Sequence, residues 1–273
     1  MMADRVGGAA KRREGAMADR VDGAAEQSEG AVSGAARLGA AEPGARSGPG
    51  LGETLGPSPR IKICGLRRPE DVAAVNLALP DFVGFVFAPS RRHVSFAQAA
   101  GLARRLDRRI KAVGVFVDAP LADCLRAVAE GTVEMVQLHG SEDAAYIAEL
   151  KAAAEVEVIK AIGVGIDAEG GLRFSQEVPA NADYLLFDAP KAGSGRSFSW
   201  QPDVMAQLCQ QRAEFILAGG ITVDNLDAAL ALAPWCVDVS SGAERDGCKD
   251  AGLIRELTAR THAWRVTEER DDR

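Results

Sequence analysis

The segment Arg60-Ile61-Lys62-Ile63-Cys64-Gly65 is the first strand-like apolar run of the chain. Pro59 precedes it and Leu66-Arg67-Arg68-Pro69 follows it, the pattern of a buried β-strand that enters a turn before a helix. A thiol at the end of such a strand lies where parallel α/β enzymes build their active sites. Most single cysteines, however, are small buried hydrophobic residues. A catalytic role for Cys64 therefore needs support from residues on the other strands.

Seven further apolar runs follow, and helical stretches separate most of them. The predicted strands are 60–64, 82–87, 110–117, 133–139, 156–163, 183–188, 215–219 and 235–240. The predicted helices are 69–79, 96–107, 121–130, 142–154, 203–212, 223–232 and 250–264, with only weak helical character over 165–182. Continuous apolar strands are typical of a parallel sheet covered on both faces. Eight strand–helix units in roughly 210 residues predict an α/β fold, a single (β/α)8 TIM barrel. A doubly wound sheet is the runner-up, but no G-x-G-x-x-G follows the first strand.

The chain divides into three predicted regions. Residues 1–58 contain no aromatic residue and no isoleucine, so they cannot offset their ordering entropy and are expected to form a disordered, low-complexity N-terminal extension. Residues 59–264 form the barrel, and 265–273 form a charged C-terminal tail. Met17 is an alternative start of the chain.

Composition excludes several classes of partner. The net charge of −7 gives no electrostatic case for nucleic acid. Five cysteines without pairing rhythm argue against a disulfide framework and for a cytoplasmic protein. No segment has the apolar length of a membrane span or of a signal peptide. The three histidines share no metal-ligand spacing, so no metal is expected. A monomer is the default expectation.

Polar residues end several predicted strands, where a barrel carries its active site. They are Cys64 on the first strand, His139 on the fourth, Asp188 on the sixth and Asp238 on the eighth. An acid, a thiol and an imidazole at one rim are hard to explain as packing. Lys62 and Cys64 are two positions apart, so both side chains should enter the barrel. A buried ammonium needs a partner, and we expect Lys62 to pair with Asp238 and to favour a Cys64 thiolate.

The last two strands end in segments suited to a phosphate. Gly219-Gly220 follows the seventh strand, and Ser240-Ser241-Gly242 follows the eighth. Glycines let backbone N–H groups approach an anion, and a following helix N-terminus adds favourable dipole charge. Paired phosphate-binding loops at these two positions recur in this architecture.

Two other loops are candidates for contact with a substrate. Arg91 and Arg92 follow the second strand, where guanidinium groups suit a carboxylate clamp. The alternative is a solvated basic loop in which Ser95 caps the next helix. The glycine-rich segment 192–198 is long enough to act as a mobile cover.

In these residues the chain resembles the phosphoribosylanthranilate isomerase family of tryptophan biosynthesis, over about residues 60–260. The resemblance rests on short segments in order: Lys62-Ile63-Cys64-Gly65, Gly84-Phe85-Val86-Phe87, Ser90-Arg91-Arg92-His93-Val94, Val113-Gly114-Val115-Phe116-Val117, Val136-Gln137-Leu138-His139-Gly140, Leu185-Leu186-Phe187-Asp188 with Gly193-Ser194-Gly195, Leu217-Ala218-Gly219-Gly220, and Asp238-Val239-Ser240-Ser241-Gly242 with Glu244. Two departures are modest: His93 stands where an aromatic residue is common, and Arg245-Asp246 interrupts the segment before Gly247.

The resemblance implies a cofactor-independent isomerase that acts on a small phosphosugar. It implies an Amadori rearrangement of N-(5'-phosphoribosyl)anthranilate to 1-(2-carboxyphenylamino)-1-deoxy-D-ribulose 5-phosphate. By this likeness Cys64 is the general base, Asp188 is the general acid, and Arg92 meets the anthranilate carboxylate. His139 and Asp238 match positions that line the substrate pocket. The phosphate cradle falls on Gly219, Gly220, Ser240, Ser241 and Gly242.

Three alternatives remain open. A ribulose-phosphate epimerase would need metal ligands at several strand ends. An indole-glycerol-phosphate synthase would use a catalytic lysine, for which Lys160 is a candidate, but would leave Cys64 and Asp188 unexplained. A silent barrel whose tail recruits a partner is the third. The histidine-pathway aminoaldose is also open as a second substrate, although only one phosphate cradle is evident.

Overall fold

The computed structural model describes residues 58–166, 172–188 and 214–265. In these ranges the strands are β1 (Arg60–Cys64), β2 (Phe82–Val86), β3 (Lys111–Phe116), β4 (Met135–Leu138), β5 (Glu157–Ile166), β6 (Leu172–Phe174), β7 (Tyr184–Asp188), β8 (Phe215–Ala218), β9 (Cys236–Val239), β10 (Glu244–Arg245) and β11 (Cys248–Lys249). The helices are α1 (Pro69–Ala78), α2 (Phe96–Ala103), α3 (Leu121–Ala129), α4 (Ala144–Ala153), α5 (Leu226–Leu230) and α6 (Ala251–Ala263), and a 3₁₀ turn spans Ser241–Ala243.

Eight parallel strands form a closed barrel. They pair in the order β1, β2, β3, β4, β5, β7, β8 and β9, and β9 pairs back with β1. Lys62 lies opposite Asp238 in the β1–β9 register that closes the ring. The predicted TIM barrel is confirmed, and each predicted strand overlaps an observed one. The runner-up, an open doubly wound sheet, is wrong because the first and last strands are hydrogen-bonded to each other.

Alternate strand positions separate the inside of the barrel from its outer layer. Ile61 and Ile63 belong to the large core cluster beneath the helices. A second cluster contains residues of the opposite parity: Phe82, Val113, Met135, Ile159, Ala161, Leu186, Ile216, Ala218 and Cys236. Since side chains alternate with a period of two along a strand, Lys62 and Cys64 share the inward direction.

Short polar side chains begin several of the outer helices. Ser95 Oγ accepts a hydrogen bond from the Gln98 backbone at 3.2 Å before α2. Asp143 caps α4 in the same way, and Asp250 caps α6 at 2.9 Å. A capping oxygen satisfies an N–H group that has no partner within the helix. The predicted role of Ser95 as an N-cap is therefore confirmed.

The described helices are shorter than predicted, and the link with weak helical character contains a strand. α2 ends at Ala103 instead of 107, and α5 covers only Leu226–Leu230 of the predicted 223–232. The described part of the 165–182 link contains β6, which pairs antiparallel with the extended end of β5. Its contacts with β5 override its weak helical propensity, since tertiary context outweighs local preference.

Several expectations concern residues outside the described ranges. These are the disordered extension over 1–58, of which only Ser58 is described, the glycine-rich cover at 192–198, the helix at 203–212 and the charged tail over 265–273, of which only Arg265 is described. They stay predictions, as do the monomeric state and the cytoplasmic location. Among the helices that are described, none has the length and apolar character needed to cross a membrane.

Candidate active site

Cys64 ends β1 and lies almost completely buried, with 8% of its surface exposed. Its sulfur packs against Gly84 on β2, where a β-carbon would come within 2.7 Å of Sγ. The glycine therefore leaves the space that the thiol occupies. The thiol lies at the C-terminal end of the barrel, as predicted.

Lys62 and Asp238 form a buried ion pair directly below Cys64 along the strands. Lys62 Nζ donates to Asp238 Oδ2 at 2.9 Å, and the two side chains are 1% and 8% exposed. The prediction that Lys62 pairs with Asp238 is confirmed. The aspartate holds the pKa of Lys62 above its usual value despite burial, so the ammonium stays charged at neutral pH.

The ionisation of Cys64 differs from the expectation. Burial raises the pKa of the thiol above its ordinary value, and the positive charges of Lys62 and Lys249 offset this only in part. Lys62 thus lowers the pKa of Cys64, as predicted, but the desolvation of the thiolate raises this pKa by more. The thiol form therefore predominates at neutral pH.

Asp188 ends β7 and contacts the imidazole of His139, the residue that follows β4. His139 Nε2 and Asp188 Oδ2 are 3.3 Å apart, and the side-chain amide nitrogen of Gln137 lies 2.9 Å from His139 Nδ1. Because an amide N–H only donates, Nδ1 must accept and the ring proton lies on Nε2. His139 therefore donates to one oxygen of Asp188.

Asp188 is partly exposed. Its side chain is 39% exposed and that of His139 is 34% exposed. Both line a cavity of about 370 Å³ together with Ala161, Gly163, Ser175 and Gln176, among others. The half-open surroundings suit a group that must meet a ligand from the solvent side.

The segment after β6 forms one wall of this cavity. Ser175 Oγ accepts from the Gly163 backbone at 2.9 Å. The Gln176 amide donates to the carbonyl oxygens of Ala161 and Gly140 at 3.0 and 3.2 Å. These bonds fix a non-helical segment beside His139, and they satisfy backbone groups of β5 and of the loop after β4.

Arg92 crosses directly over the turn that follows Cys64. Gly65 adopts φ 90°, and a β-carbon there would collide with the Arg92 side chain. Glycine is therefore required both by the backbone conformation and by the arginine above it. Arg92 Nε donates to Glu244 Oε1 at 2.6 Å, and Nη2 donates to Glu244 Oε2 at 3.1 Å.

The residues predicted to bind phosphate lie in two loops that touch each other. Gly219 and Gly220 have φ values of 95° and 69°, and a β-carbon on Gly242 would collide with the Ile221 carbonyl. The expected helix dipole is absent beside the glycine pair because α5 begins only at Leu226. The Ser240 hydroxyl donates to the Cys64 carbonyl at 3.2 Å and so supports the end of β1.

Lys160 is a structural residue and not a catalytic one. It is fully buried, and its Nζ contacts Glu142 Oε2 at 3.1 Å and the Gly140 carbonyl at 2.6 Å. A buried ammonium held in this way has no free face for a substrate, which disfavours the synthase alternative. Across the described ranges, no group of three or more His, Cys, Asp or Glu side chains is arranged to hold a metal ion.

Some residues of the site could not be assigned a role from the sequence. The position of Gln137 could have been predicted, because it stands two residues before His139 on a strand and its side chain should therefore point to the same face. Glu244 belongs to a segment that carries the family resemblance, but nothing in the sequence relates it to Arg92. Ser175 and Gln176 lie in an irregular link, where periodicity gives no direction to a side chain.

Comparison with known proteins agrees with this arrangement. A family model described as N-(5'phosphoribosyl)anthranilate (PRA) isomerase matches residues 61–260. The N-(5'-phosphoribosyl)anthranilate isomerase of Endomicrobium trichonymphae is 40% identical over 203 residues, which cover 72% of this chain and 96% of that protein.

Solved structures of the same enzyme share the fold. That from Thermus thermophilus is 33% identical with a TM-score of 0.60, covering 74% of this chain and 97% of the other. Another, 26% identical with a TM-score of 0.61, covers 74% of this chain and 98% of its own, and contains reduced 1-(o-carboxyphenylamino)-1-deoxyribulose 5-phosphate. With a family match across the barrel and this level of identity, the chain belongs to the N-(5'-phosphoribosyl)anthranilate isomerase family.

Proposed function

We propose that this chain, an isomerase by family, converts N-(5'-phosphoribosyl)anthranilate to 1-(2-carboxyphenylamino)-1-deoxy-D-ribulose 5-phosphate, with Cys64 as general base and Asp188 as general acid. One observation carries the proposal. Cys64 and Asp188 end strands that are three places apart in a ring of eight, at the same end of the barrel. A sugar bound at the mouth would therefore meet a thiol and a carboxyl group from different walls.

The first chemical step opens the ribose ring. Asp188 delivers a proton to the ring oxygen, the bond from C1 to that oxygen breaks, and the nitrogen lone pair forms an iminium at C1. His139 donates to Asp188 Oδ2, and we assign the proton transfer to Oδ1. The hydrogen bond orients the carboxyl group, which is the role of a positioned acid.

The second step moves a proton from C2. The Cys64 thiolate takes it, and the C–H electron pair forms a C1–C2 double bond while the iminium nitrogen accepts electrons. Loss of the enol proton and protonation of C1 then give the ketose. The substrate's own iminium is the electron sink, so the proposed chemistry requires no cofactor. Lys62 and Lys249 are the cations that support the thiolate.

The pH dependence of the thiol provides one prediction. Because burial raises the pKa of Cys64, its thiolate should form only above the ordinary pH range of cysteine, and Lys249→Met should shift that midpoint higher by removing a stabilising charge. The ultraviolet absorbance of the thiolate, taken as a difference from Cys64→Ser, measures the midpoint. A midpoint at or below the ordinary value would contradict the predicted environment.

Arg92 provides a second prediction. Arg92→Ala should raise KM roughly 10- to 100-fold with little change in kcat, because it removes charge-assisted hydrogen bonds to a carboxylate that is the same in ground and transition state. Steady-state kinetics over a range of substrate concentrations separate the two constants. A loss confined to kcat would instead assign Arg92 to the chemical step.

The direct test of the function is the loss of phosphoribosylanthranilate fluorescence with purified protein. The Cys64→Ser and Asp188→Asn variants are the matched negative controls. A folded wild-type protein that leaves the fluorescence unchanged would exclude the proposed activity and favour the silent barrel. The same assay with the histidine-pathway aminoaldose, followed by its absorbance, tests the second substrate.

A further inference from the structure

Glu244 is a buried carboxylate at the barrel mouth with no role in the proposed chemistry. It begins β10, and the Asp246-Gly247 turn, with φ values of 52° and 74°, returns the chain through β11. Two successive residues of positive φ are typical of a tight type I′ hairpin turn. The antiparallel register places Glu244 opposite Lys249. The insertion noted in the sequence is therefore a hairpin that presents one carboxylate to the site.

Three cations surround this carboxylate. Arg92 donates twice to it, Lys249 Nζ lies 3.1 Å from Oε1, and Arg91 Nη2 lies 2.8 Å from Oε2. The Glu244 side chain is 6% exposed, as against 59% for Arg91. Burial opposes ionisation, but the hydrogen bonds and charges of Arg92 and Lys249 lower the pKa of Glu244 to about 2. Glu244 is thus a fixed anion at neutral pH.

The contacts of Arg92 leave one edge of its guanidinium free of Glu244. Nε and Nη2 face Glu244, and Nη1 is not part of that pair. The stem of the arginine is confined by Gly65 beneath it. One fixed anion among three cations leaves surplus positive charge, so a second anion can be accommodated beside Arg92. A carboxylate on an aromatic ring matches the planar fork of the arginine.

We propose that Glu244 is a positioning residue, which holds the Nε–Nη2 edge of Arg92 so that the terminal Nη1–Nη2 edge, through its remaining N–H groups, receives the carboxylate of the substrate's aromatic ring. This inference rests on the proposed function, in which Arg92 binds that carboxylate. Without Glu244, Arg92 would keep its charge but lose its fixed direction. The Arg92 side chain would then lose rotamer entropy when the ligand binds, and this loss weakens the affinity for the carboxylate specifically.

The test compares two inhibitors against the wild-type enzyme and the Glu244→Gln variant. One is reduced 1-(o-carboxyphenylamino)-1-deoxyribulose 5-phosphate, and the other is the same molecule without the carboxyl group. Glu244→Gln should weaken the first roughly tenfold, the scale of a charge-assisted hydrogen bond, and should leave the second unchanged. Equal weakening of both would show a merely structural role and overturn the proposal, as would unchanged or tighter binding of the first.

The Arg92→Ala variant separates this proposal from the proposed function. If Arg92→Ala affects both inhibitors alike, the assignment of Arg92 to the carboxylate fails and Glu244 has nothing to position. If Arg92→Ala affects only the carboxylated inhibitor, then adding Glu244→Gln to it should cause no further loss. Full additivity would show that Glu244 does not act through Arg92, which overturns the positioning role alone.

A second variant covers the case in which Glu244→Gln does not fold. Removing one member of a buried pair leaves Lys249 uncompensated, whereas removing both is often tolerated. Glu244→Gln combined with Lys249→Met should therefore fold, as measured by thermal unfolding. It should again lose affinity only for the carboxylated inhibitor, and an equal loss for both would overturn the proposal.

Discussion

Replacing Cys64 with serine should lower kcat by ~10²–10⁴-fold while KM changes little. Serine keeps the size and position of the side chain beside Gly84, but a hydroxyl is a far weaker acid than a thiol, so the anionic form that takes the proton is lost. The variant therefore binds the sugar and opens its ring, yet has no base for the proton at C2. Steady-state fluorescence kinetics measure both constants.

Cys124→Ser is the matched control for this prediction. Cys124 lies in α3, away from the barrel mouth, and its sulfur is 3.4 Å from the Tyr146 hydroxyl, a partner that serine can also use. The same chemical change there should leave kcat near the wild-type value. Near-normal turnover in Cys64→Ser would show that another group is the base.

Asp188→Asn should also lower kcat by ~10²–10⁴-fold, the usual worth of a general acid. Asparagine can still accept the hydrogen bond from His139 Nε2 through its side-chain oxygen. It cannot release a proton to the ring oxygen, so the geometry is kept while the chemistry is lost. The defect should lie before the proton transfer from C2, and therefore a substrate deuterated at C2 should show no isotope effect in this variant.

Asp183→Asn is the control for the acid. Asp183 directly precedes β7, at the other end of the strand that carries Asp188, and pairs with Lys151 at 2.6 Å. Its replacement should lower the unfolding temperature slightly, since the pair is partly exposed. It should leave kcat unchanged. A loss of kcat as large as that of Asp188→Asn would point to distortion of β7 in place of a missing acid.

The barrel could be predicted from sequence because its strands repeat one signal. Each strand is a short apolar run. Because side chains alternate between the two faces of a strand, every second residue points into the barrel, and one inward residue identifies the others on its strand. This alternation also placed Lys62 and Cys64 inside. The need of a buried ammonium for a counter-ion then predicted its pairing with Asp238, which the 2.9 Å contact confirms. Helix ends were less well predicted, because capping and packing shorten elements in ways that local propensity does not contain.

The details of the site were less predictable because they depend on irregular segments. No periodic pattern relates Glu244 to Arg92, which stand 152 residues apart and meet through a hairpin turn. The link after β5 was expected to have helical character and instead places Gln176 against two carbonyl groups. The exposure of Asp188 follows from the shape of the mouth, which the residues at its strand end do not specify.

The pairing of Lys62 with Asp238 has a consequence for folding of the chain during its synthesis. During synthesis the ammonium leaves the ribosome 176 residues before its counter-ion. Until the final strand arrives, the lysine can remain hydrated and the neighbouring thiol has no enclosed surroundings. We therefore expect activity toward the sugar only once the last strand has closed the barrel. Nascent or truncated chains that lack the last strand should be inert toward the sugar while their cysteine stays open to ordinary thiol reagents.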